Sequence, residues 1–105
     1  MVEVNWTHDA VADIDGIATY ISRDSPKSAA LLVERFFACA DLLAKNPKRG
    51  KPVREAGTDT IRELIVSSYR VIYSLVDEGR IDVLTIHHQR RQLPRSLITQ
   101  RIRRR

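Results

Sequence analysis

The sequence predicts an α+β fold of two layers, in which a helical hairpin packs on a small antiparallel sheet and a basic C-terminal tail follows. Two consecutive stretches have the apolar spacing of helices, and three later stretches have the composition of strands. A short strand precedes the helices, so the element order is β-α-α-β-β-β. The 105 residues, of which 43% are hydrophobic and 30% charged, suffice for one core, and we expect one domain over residues 1–105.

The first strand and the first helix follow from the pattern at the start of the chain. Residues 2–6 alternate apolar and polar side chains, which is the period of a half-buried strand. Thr7 is a good N-cap, and apolar side chains then recur at helical spacing, which predicts a helix over residues 8–22. The apolar stripe consists of Val11, Ile14, Ile17, Ala18 and Ile21.

A second helix is predicted over residues 26–46, because Ser25 is a good N-cap and a proline fits the first helical position. One face of this helix is apolar, but apolar side chains also extend onto the flanks, which is more than a helix packed on one side needs. The extra width predicts either a deeply buried helix or a surface that binds a partner. The flanking side chains are Leu31, Phe37, Cys39 and Leu42.

The second half of the chain is predicted to form the sheet. A polar loop over residues 47–59 precedes three segments rich in Ile, Val, Leu and Tyr, which should form an antiparallel meander. The tail, residues 89–105, is compatible with a short helix from Pro94 through Ile102. The sheet face opposite the helical hairpin is then either open or filled by this tail. The three strands are predicted over residues 60–66, 69–76 and 80–88.

The charge is divided unevenly along the chain. Lys and Arg number 18 against 13 Asp and Glu, a formal charge of +5, and seven of the arginines lie in residues 90–105, which contain no acid. The remaining 11 basic residues face all 13 acids, so the body is slightly acidic and the tail is strongly cationic. Arg90 and Arg91 directly follow a strand that would anchor them, whereas Arg103 to Arg105 are expected to form a mobile, solvated end.

Several classes of protein are disfavoured. The single cysteine, Cys39, has no partner for an internal disulfide, and no Cys and His cluster has the spacing of a zinc site, so we expect neither a metal nor a cofactor. No phosphate-binding glycine loop or nucleophile elbow is present. Because no apolar run approaches the ~18 residues of a membrane span and no signal peptide is evident, we expect a cytoplasmic protein that does not contact a membrane.

One face of the predicted sheet contains a candidate catalytic group. If the second hairpin closes with a four-residue loop over residues 77–80, His87 lies opposite Arg70. Glu63, Arg70 and His87 then project from one face, and they supply the base, the cation and the acid that phosphodiester cleavage needs. The same residues would occur if Glu63 and Arg70 formed only a structural ion pair. A shift of one residue in the strand register would put His88 on this face in place of His87.

Several segments occur in a characteristic order. Val4-Asn5-Trp6-Thr7 leads into the first helix. Ile61-Arg62-Glu63-Leu64 precedes the strand Tyr69-Arg70-Val71-Ile72-Tyr73, and Arg90-Arg91 follow the last strand. In this order and spacing the chain resembles, over nearly its full length, toxins of the RelE/ParE superfamily from bacterial type II toxin–antitoxin pairs. The resemblance implies the same α+β fold that the periodicities predict.

The resemblance implies a small toxin that causes growth arrest and that a cognate antitoxin holds inactive by wrapping along its surface. This gives the wide apolar stripe of the second helix a use, and we expect Leu31, Phe37 and Leu42 to lie at the antitoxin interface. The superfamily divides by mechanism. RelE-like members are ribosome-dependent ribonucleases, and ParE-like members act on DNA gyrase.

Departures from the RelE-like pattern favour the ParE branch. The RelE-like lysine positions align with Ile61 and Glu63, and the position of the C-terminal catalytic tyrosine aligns near Leu97. A carboxylate base of the YoeB type would fall near Val53. Because a ribonuclease site is therefore incomplete, and because the helical hairpin is long, the sequence is closer to the ParE branch.

Three hypotheses follow. The first is a ParE-like inhibitor of DNA gyrase, without chemistry of its own, whose target-binding residues are Arg90, Arg91 and Arg95. The second is a RelE-like, ribosome-dependent mRNA endoribonuclease, with Arg70, His87 and Arg91 as its catalytic residues. The third is a small basic nucleic-acid-binding domain, which requires strongly salt-dependent binding in the absence of a partner.

Overall fold

The computed structural model describes residues 1–105 as three α-helices, five β-strands and one 3₁₀ turn. Every predicted helix and strand is present, and the bounds agree with the predicted ones to within about two residues. None of the helices combines the length and the apolar character that crossing a bilayer requires. The elements are β1 (Glu3–Trp6), α1 (His8–Ser22), α2 (Pro26–Lys45), β2 (Lys51–Pro52), the 3₁₀ turn Arg54–Ala56, β3 (Ile61–Val66), β4 (Tyr69–Asp77), β5 (Arg80–His88) and α3 (Arg95–Arg104).

The five strands form one mixed sheet in the order β1-β5-β4-β3-β2. β3, β4 and β5 are the predicted antiparallel meander, and β2 adds two residues at its outer edge. The helical hairpin carries the chain from one edge of the sheet to the other, so β1 stays beside the last strand and runs parallel to it. The α+β fold is confirmed, and the parallel pairing of β1 makes the sheet mixed where an antiparallel one was expected.

The register of the meander decides which side chains share a face. Ile65 pairs with Arg70 across the turn Ser67-Ser68, and Arg70 pairs with His87 as expected. The expected four-residue loop is wrong, because Asp77 and Arg80 still pair and only two residues form the turn. The register then shifts by one residue between Asp77 and Leu75 and shifts back between Tyr73 and Ile72. Because the two irregularities cancel, the partner of Arg70 is the expected one.

Side-chain caps fix where the two long helices begin. Thr7 accepts a hydrogen bond from the N–H of Ala10 at 3.2 Å, and its hydroxyl donates to the carbonyl of Val83 at 2.7 Å, which ties the start of α1 to β5. Ser25 accepts a hydrogen bond from the N–H of Ser28 at 3.1 Å. Such caps typically stabilise a helix by about 1 kcal/mol each.

The sheet is covered on both faces. α1 and α2 pack on one face around the rings of Phe36 and Tyr73, and α3 packs on the other face. The tail therefore fills the second face, and α3 adds a third layer to the two that were predicted. The core on the α3 side consists of Val53, Ile61, Ile72, Leu84, Leu93 and Ile98.

Cys39 belongs to the buried face of α2 and not to its flank, which corrects one part of the sequence interpretation. Its side chain is 3% exposed, and burial raises the pKa of the thiol to about 11. The thiol therefore stays protonated at neutral pH and packs as a small apolar group.

The loop between α2 and β3 is held by Tyr73. The buried hydroxyl of this residue accepts a hydrogen bond from the N–H of Gly50 at 2.9 Å and donates one to the carbonyl of Pro47 at 2.8 Å. Glycine is required at position 50, because a Cβ there would lie 2.6 Å from the Tyr73 hydroxyl oxygen. These two hydrogen bonds fix the first part of the loop, which leads to the 3₁₀ turn Arg54–Ala56.

Candidate functional site

Arg70 lies between two carboxylates on the sheet face that carries α3. Its Nε donates a hydrogen bond to Oε2 of Glu63 at 3.1 Å. Its Nη1 and Nη2 donate to Oε2 and Oε1 of Glu55 at 3.0 and 2.9 Å, a bidentate pair. Only 12% of the Arg70 side chain and 6% of the Glu63 side chain are exposed, so little water competes for these contacts.

The ion pair that was the alternative to a catalytic role for Glu63 and Arg70 is therefore present, with a second acid added. The hydrogen bond from Arg70 lowers the pKa of Glu55 to about 2, and the same contact raises the pKa of Arg70 above its ordinary value. Sequence reasoning missed Glu55 because it lies in a loop, and no local pattern shows that the 3₁₀ turn folds back over β4. The Nε, Nη1 and Nη2 groups of Arg70 all donate to these two acids, and the N–H donors used in this way are unavailable to a phosphate.

The two histidines at the end of β5 hold the turn that follows it. Nε2 of His87 lies 3.1 Å from the carbonyl oxygens of both Arg91 and Gln92, so this nitrogen carries a proton and donates. Nδ1 of His88 accepts a hydrogen bond from the N–H of Arg90 at 3.1 Å. His87 is opposite Arg70 in the register, but its Nε2 is committed to the turn.

The predicted target-binding arginines fall into two groups. Arg90 and Arg91 are exposed and form no ion pair, and the N–H of Arg91 donates to the carbonyl of His88 at 3.0 Å. Arg95 is also exposed, but its Nε donates to the carbonyl of Glu55 at 3.0 Å, which ties the start of α3 to the 3₁₀ turn. Arg90 and Arg91 thus combine free charges with an ordered backbone.

The end of the tail differs from its prediction. Arg104 lies 3.0 Å from a carboxylate oxygen of Asp9, and Arg105 lies 3.5 Å from one of Asp82. Arg103 is exposed and has no such partner. α3 docks on the sheet and brings Arg104 and Arg105 to acids near the starts of α1 and β5. These two arginines therefore have partners that the sequence did not indicate, although the Arg104 side chain stays 60% exposed.

The three side chains predicted at an antitoxin interface are exposed, but they do not form one patch. Leu31 and Leu42 are 48% and 45% exposed. Their separation of 11 positions makes three helical turns plus about 20°, so the two side chains lie on one stripe of α2. Phe37 lies about 120° from that stripe on the opposite flank. There its ring packs edge-on against Trp6, with ring centroids 4.8 Å apart.

The positions that depart from the RelE-like pattern are occupied by packing residues. Val53 and Ile61 are 1% and 4% exposed in the core on the α3 side, and Leu97 packs against the same core. Glu63 is taken by Arg70. None of these four positions presents a free acid or base to the sheet face.

Comparisons with known proteins agree with this fold. A family model described as the ParE toxin of the type II toxin-antitoxin system, parDE, matches residues 4–93. The chain is 37% identical over 91 residues to Toxin RelE2 of Caulobacter vibrioides, which covers 87% of this chain and 99% of that protein.

Two solved structures are also similar. The chromosomal ParDE system from P. aeruginosa matches with a TM-score of 0.67 and 23% identity, covering 84% of this chain and 96% of that one. The toxin-antitoxin complex RelBE2 from Mycobacterium tuberculosis matches with a TM-score of 0.54 and 28% identity, covering 83% and 96%. Together with the family match, these similarities show that the chain is a type II toxin-antitoxin toxin and belongs to the ParE toxin family within the RelE/ParE superfamily.

Proposed function

We propose that this toxin inhibits DNA gyrase and that a cognate antitoxin neutralises it. The observation that carries the proposal is the contrast between two sets of arginines. Arg70 is neutralised by Glu55 and Glu63, whereas Arg90 and Arg91 are exposed without an acidic partner. The family match to ParE over residues 4–93 supports the same branch of the superfamily.

Binding, and not bond cleavage, is the activity that this arrangement favours. A ribonuclease needs a cation free to stabilise charge at phosphorus, and the donors of Arg70 bond to two carboxylates instead. It also needs a mobile proton, and Nε2 of His87 donates to main-chain carbonyls. Loss of one positioned group typically costs about a hundredfold in rate, so a site lacking both would be very slow.

Arg90 and Arg91 have the properties of a contact surface. Hydrogen bonds from the main-chain N–H groups of both residues to His88 order the turn on which they lie, and a guanidinium binds carboxylates or phosphates in a fixed planar geometry. Arg95 is adjacent, but one of its donors is already used within the protein. In this proposal Arg90 and Arg91 therefore contribute more to target binding than Arg95 does.

A supercoiling assay with purified gyrase tests the proposal. We expect micromolar toxin to inhibit supercoiling, and the double variant Arg90→Ala/Arg91→Ala to need about tenfold or more toxin, since each charged contact is worth roughly 1.5–3 kcal/mol. Arg103→Ala is the matched control, because it removes an exposed, unpaired arginine elsewhere in the tail. Absence of inhibition by wild-type toxin, together with cleavage of ribosome-bound message, would refute the proposal.

A RelE-like, ribosome-dependent endoribonuclease is the second candidate, because the chain is 37% identical to a protein named Toxin RelE2. In that case Arg70, His87 and Arg91 would be the catalytic residues, and the ribosome would have to break the contacts of Arg70 with Glu55 and Glu63. Primer extension on translated messages after toxin induction decides between the two. Intact transcripts during growth arrest would exclude the ribonuclease.

The antitoxin partner is supported by the solved neighbours, since one is titled a ParDE system and the other a toxin-antitoxin complex. In the proposal, the antitoxin contacts the exposed apolar side chains on the flanks of α2. These are Leu31, Phe37 and Leu42.

A further inference from the structure

A cleft of about 610 Å³ lies between α1 and the ends of β4 and β5. α1 forms one wall, and the last residues of β5 with the turn after it form the other. No acidic residue is among the nine that line it. The lining side chains that matter below are Gly16, Tyr20, Tyr69, His88, Arg90 and Arg91.

The cationic wall of the cleft is ordered. The N–H of Arg90 donates to Nδ1 of His88, the N–H of Arg91 donates to the carbonyl of His88, and His87 donates to the carbonyl of Arg91. The turn therefore presents two adjacent guanidinium groups from a fixed backbone. Since neither forms an ion pair within the protein, an anionic ligand meets no internal competitor.

Aromatic rings accompany these charges. Tyr20 is 67% exposed, and the guanidinium carbon of Arg23 lies over its ring, 5.8 Å from the centroid. A base can therefore stack only on the ring face that Arg23 does not cover. Tyr69 and His88 also line the cleft, with ring centroids 5.2 Å apart in an edge-on arrangement. Exposed rings next to arginines are the combination that binds bases and phosphates of single-stranded nucleic acids.

Gly16 is an independent observation at the same place. It lies in the interior of α1, where glycine is less favourable than alanine. No atom lies within 4 Å of a Cβ built on this residue, so packing inside the protein does not require glycine. The missing side chain instead leaves the wall that α1 forms open to a ligand.

The edge of β5 beside the cleft argues against an extended peptide as the ligand. β1 pairs only with residues 80–83, so the rest of this edge has no strand neighbour. However, Asp13 accepts the hydrogen bond of the Ile86 N–H at 3.0 Å, and Arg101 donates to the carbonyl of Leu84 at 3.1 Å. Two of the main-chain groups that a peptide strand would use are therefore occupied.

We propose that this cleft binds single-stranded DNA, with phosphates on Arg90 and Arg91 and a base stacked on Tyr20. This inference rests on the proposed function, because it names DNA as the ligand of the two arginines when the toxin meets gyrase. It is tested with the toxin alone, without gyrase, so that its failure can be separated from a failure of gyrase inhibition.

The experiment measures the fluorescence anisotropy of a labelled twelve-nucleotide oligothymidylate titrated with purified toxin. The decisive variant is Gly16→Leu, which fills the cleft without changing the charge and is compatible with the helix. We expect this variant and Arg90→Ala/Arg91→Ala each to bind about tenfold more weakly, since a lost stacking or phosphate contact has about that effect. Arg103→Ala, the matched control, should bind within about twofold of wild type.

Four outcomes would overturn the inference. They are the absence of oligonucleotide binding by wild type, wild-type binding by Gly16→Leu, oligouridylate binding about tenfold tighter than oligothymidylate, and equally tight binding of an acidic dodecapeptide. Gyrase inhibition without oligonucleotide binding would refute the DNA ligand and leave the proposed function standing. Oligonucleotide binding without gyrase inhibition would support the DNA ligand and refute the proposed function.

Discussion

Asp13 and Arg101 form a bidentate ion pair that closes the open edge of β5. Nη1 of Arg101 lies 2.8 Å from Oδ2 of Asp13, and Nη2 lies 3.1 Å from Oδ1. Oδ2 also accepts hydrogen bonds from the Thr85 hydroxyl and the Ile86 N–H, both at 3.0 Å. Arg101 donates to the carbonyl of Leu84 as well. The two side chains thus replace the strand that is missing beyond β1, and they tie α3 to α1.

Removing this pair should destabilise the fold. We expect Arg101→Ala to lower the free energy of unfolding by about 2 kcal/mol, because it leaves a partly buried Asp13 carboxylate with fewer donors. Urea unfolding followed by circular dichroism measures the change. Arg103→Ala, an exposed arginine of the same helix, should stay within about 0.5 kcal/mol of wild type. Equal stabilities of the two variants would contradict the role of Arg101.

The Arg70 cluster should give the stability a specific pH dependence. In the folded state the pKa of Glu55 is held at about 2, below its ordinary value of 4.5, because Arg70 donates hydrogen bonds to the ionised carboxylate. A lowered pKa means that ionised Glu55 stabilises the fold at neutral pH and that this contribution is lost as the pH falls from about 4.5 to 2. Glu55→Gln should therefore be less stable than wild type at neutral pH, with a difference that shrinks across this window.

The measurement is the difference in free energy of unfolding between wild type and Glu55→Gln, taken from urea titrations at several pH values. Glu34→Gln is the matched control, since Glu34 is exposed on α2 and forms no ion pair. A Glu55→Gln difference that stays constant between neutral pH and pH 2 would show that the contact with Arg70 does not control the ionisation of Glu55.

Most of the fold could be predicted from the sequence because its signals are local. Ser25 before Pro26 marks the start of α2, and runs rich in Ile, Val, Leu and Tyr mark the strands of the meander, so few distant contacts are needed to place them. The parallel pairing of β1 with β5 joins residues nearly 80 positions apart and has no local signature. For the same reason, the docking of α3 had to remain one of two alternatives.

The candidate site was predicted less completely, for a related reason. The pairing of Arg70 with His87 could be predicted by counting residues from the turn. It holds because two register shifts between β4 and β5 cancel, and the sequence does not show these shifts. Glu55 and Asp13 contact arginines that are distant in the sequence, and no local sequence pattern predicts either contact. The contact of Arg70 with Glu55 can be predicted only after the path of the loop that carries Glu55 is known.

The flanks of α2 make a prediction about the antitoxin. Leu31 and Leu42 share a stripe, and Phe37 lies on the other flank, so one straight partner segment cannot contact all three. If the antitoxin wraps the helix, hydrogen exchange should slow at all three residues on binding. Leu42→Asp should then weaken neutralisation about tenfold or more while leaving the fold intact, because the side chain is 45% exposed. Lack of protection at all three would remove α2 from the interface.

Deleting residues 103–105 tests how much of the cationic tail acts on the target. The deletion keeps Arg90, Arg91 and the Arg101 pair. It removes two contacts made by arginines whose side chains are 60% and 25% exposed. Such contacts are worth up to about 1 kcal/mol, so the fold should persist, since Asp82 retains its bond to Arg80 at 2.9 Å.

We expect growth arrest on induction to be unchanged by this deletion. The contrasting control is deletion of residues 93–105, which removes α3 and exposes the core around Ile72 and Leu84, and which should prevent stable folding. If the short deletion folds, as judged by circular dichroism and urea unfolding, yet no longer arrests growth, then the last three arginines contact the target. The division of the tail into a functional turn at Arg90 and Arg91 and a structural end would then be wrong.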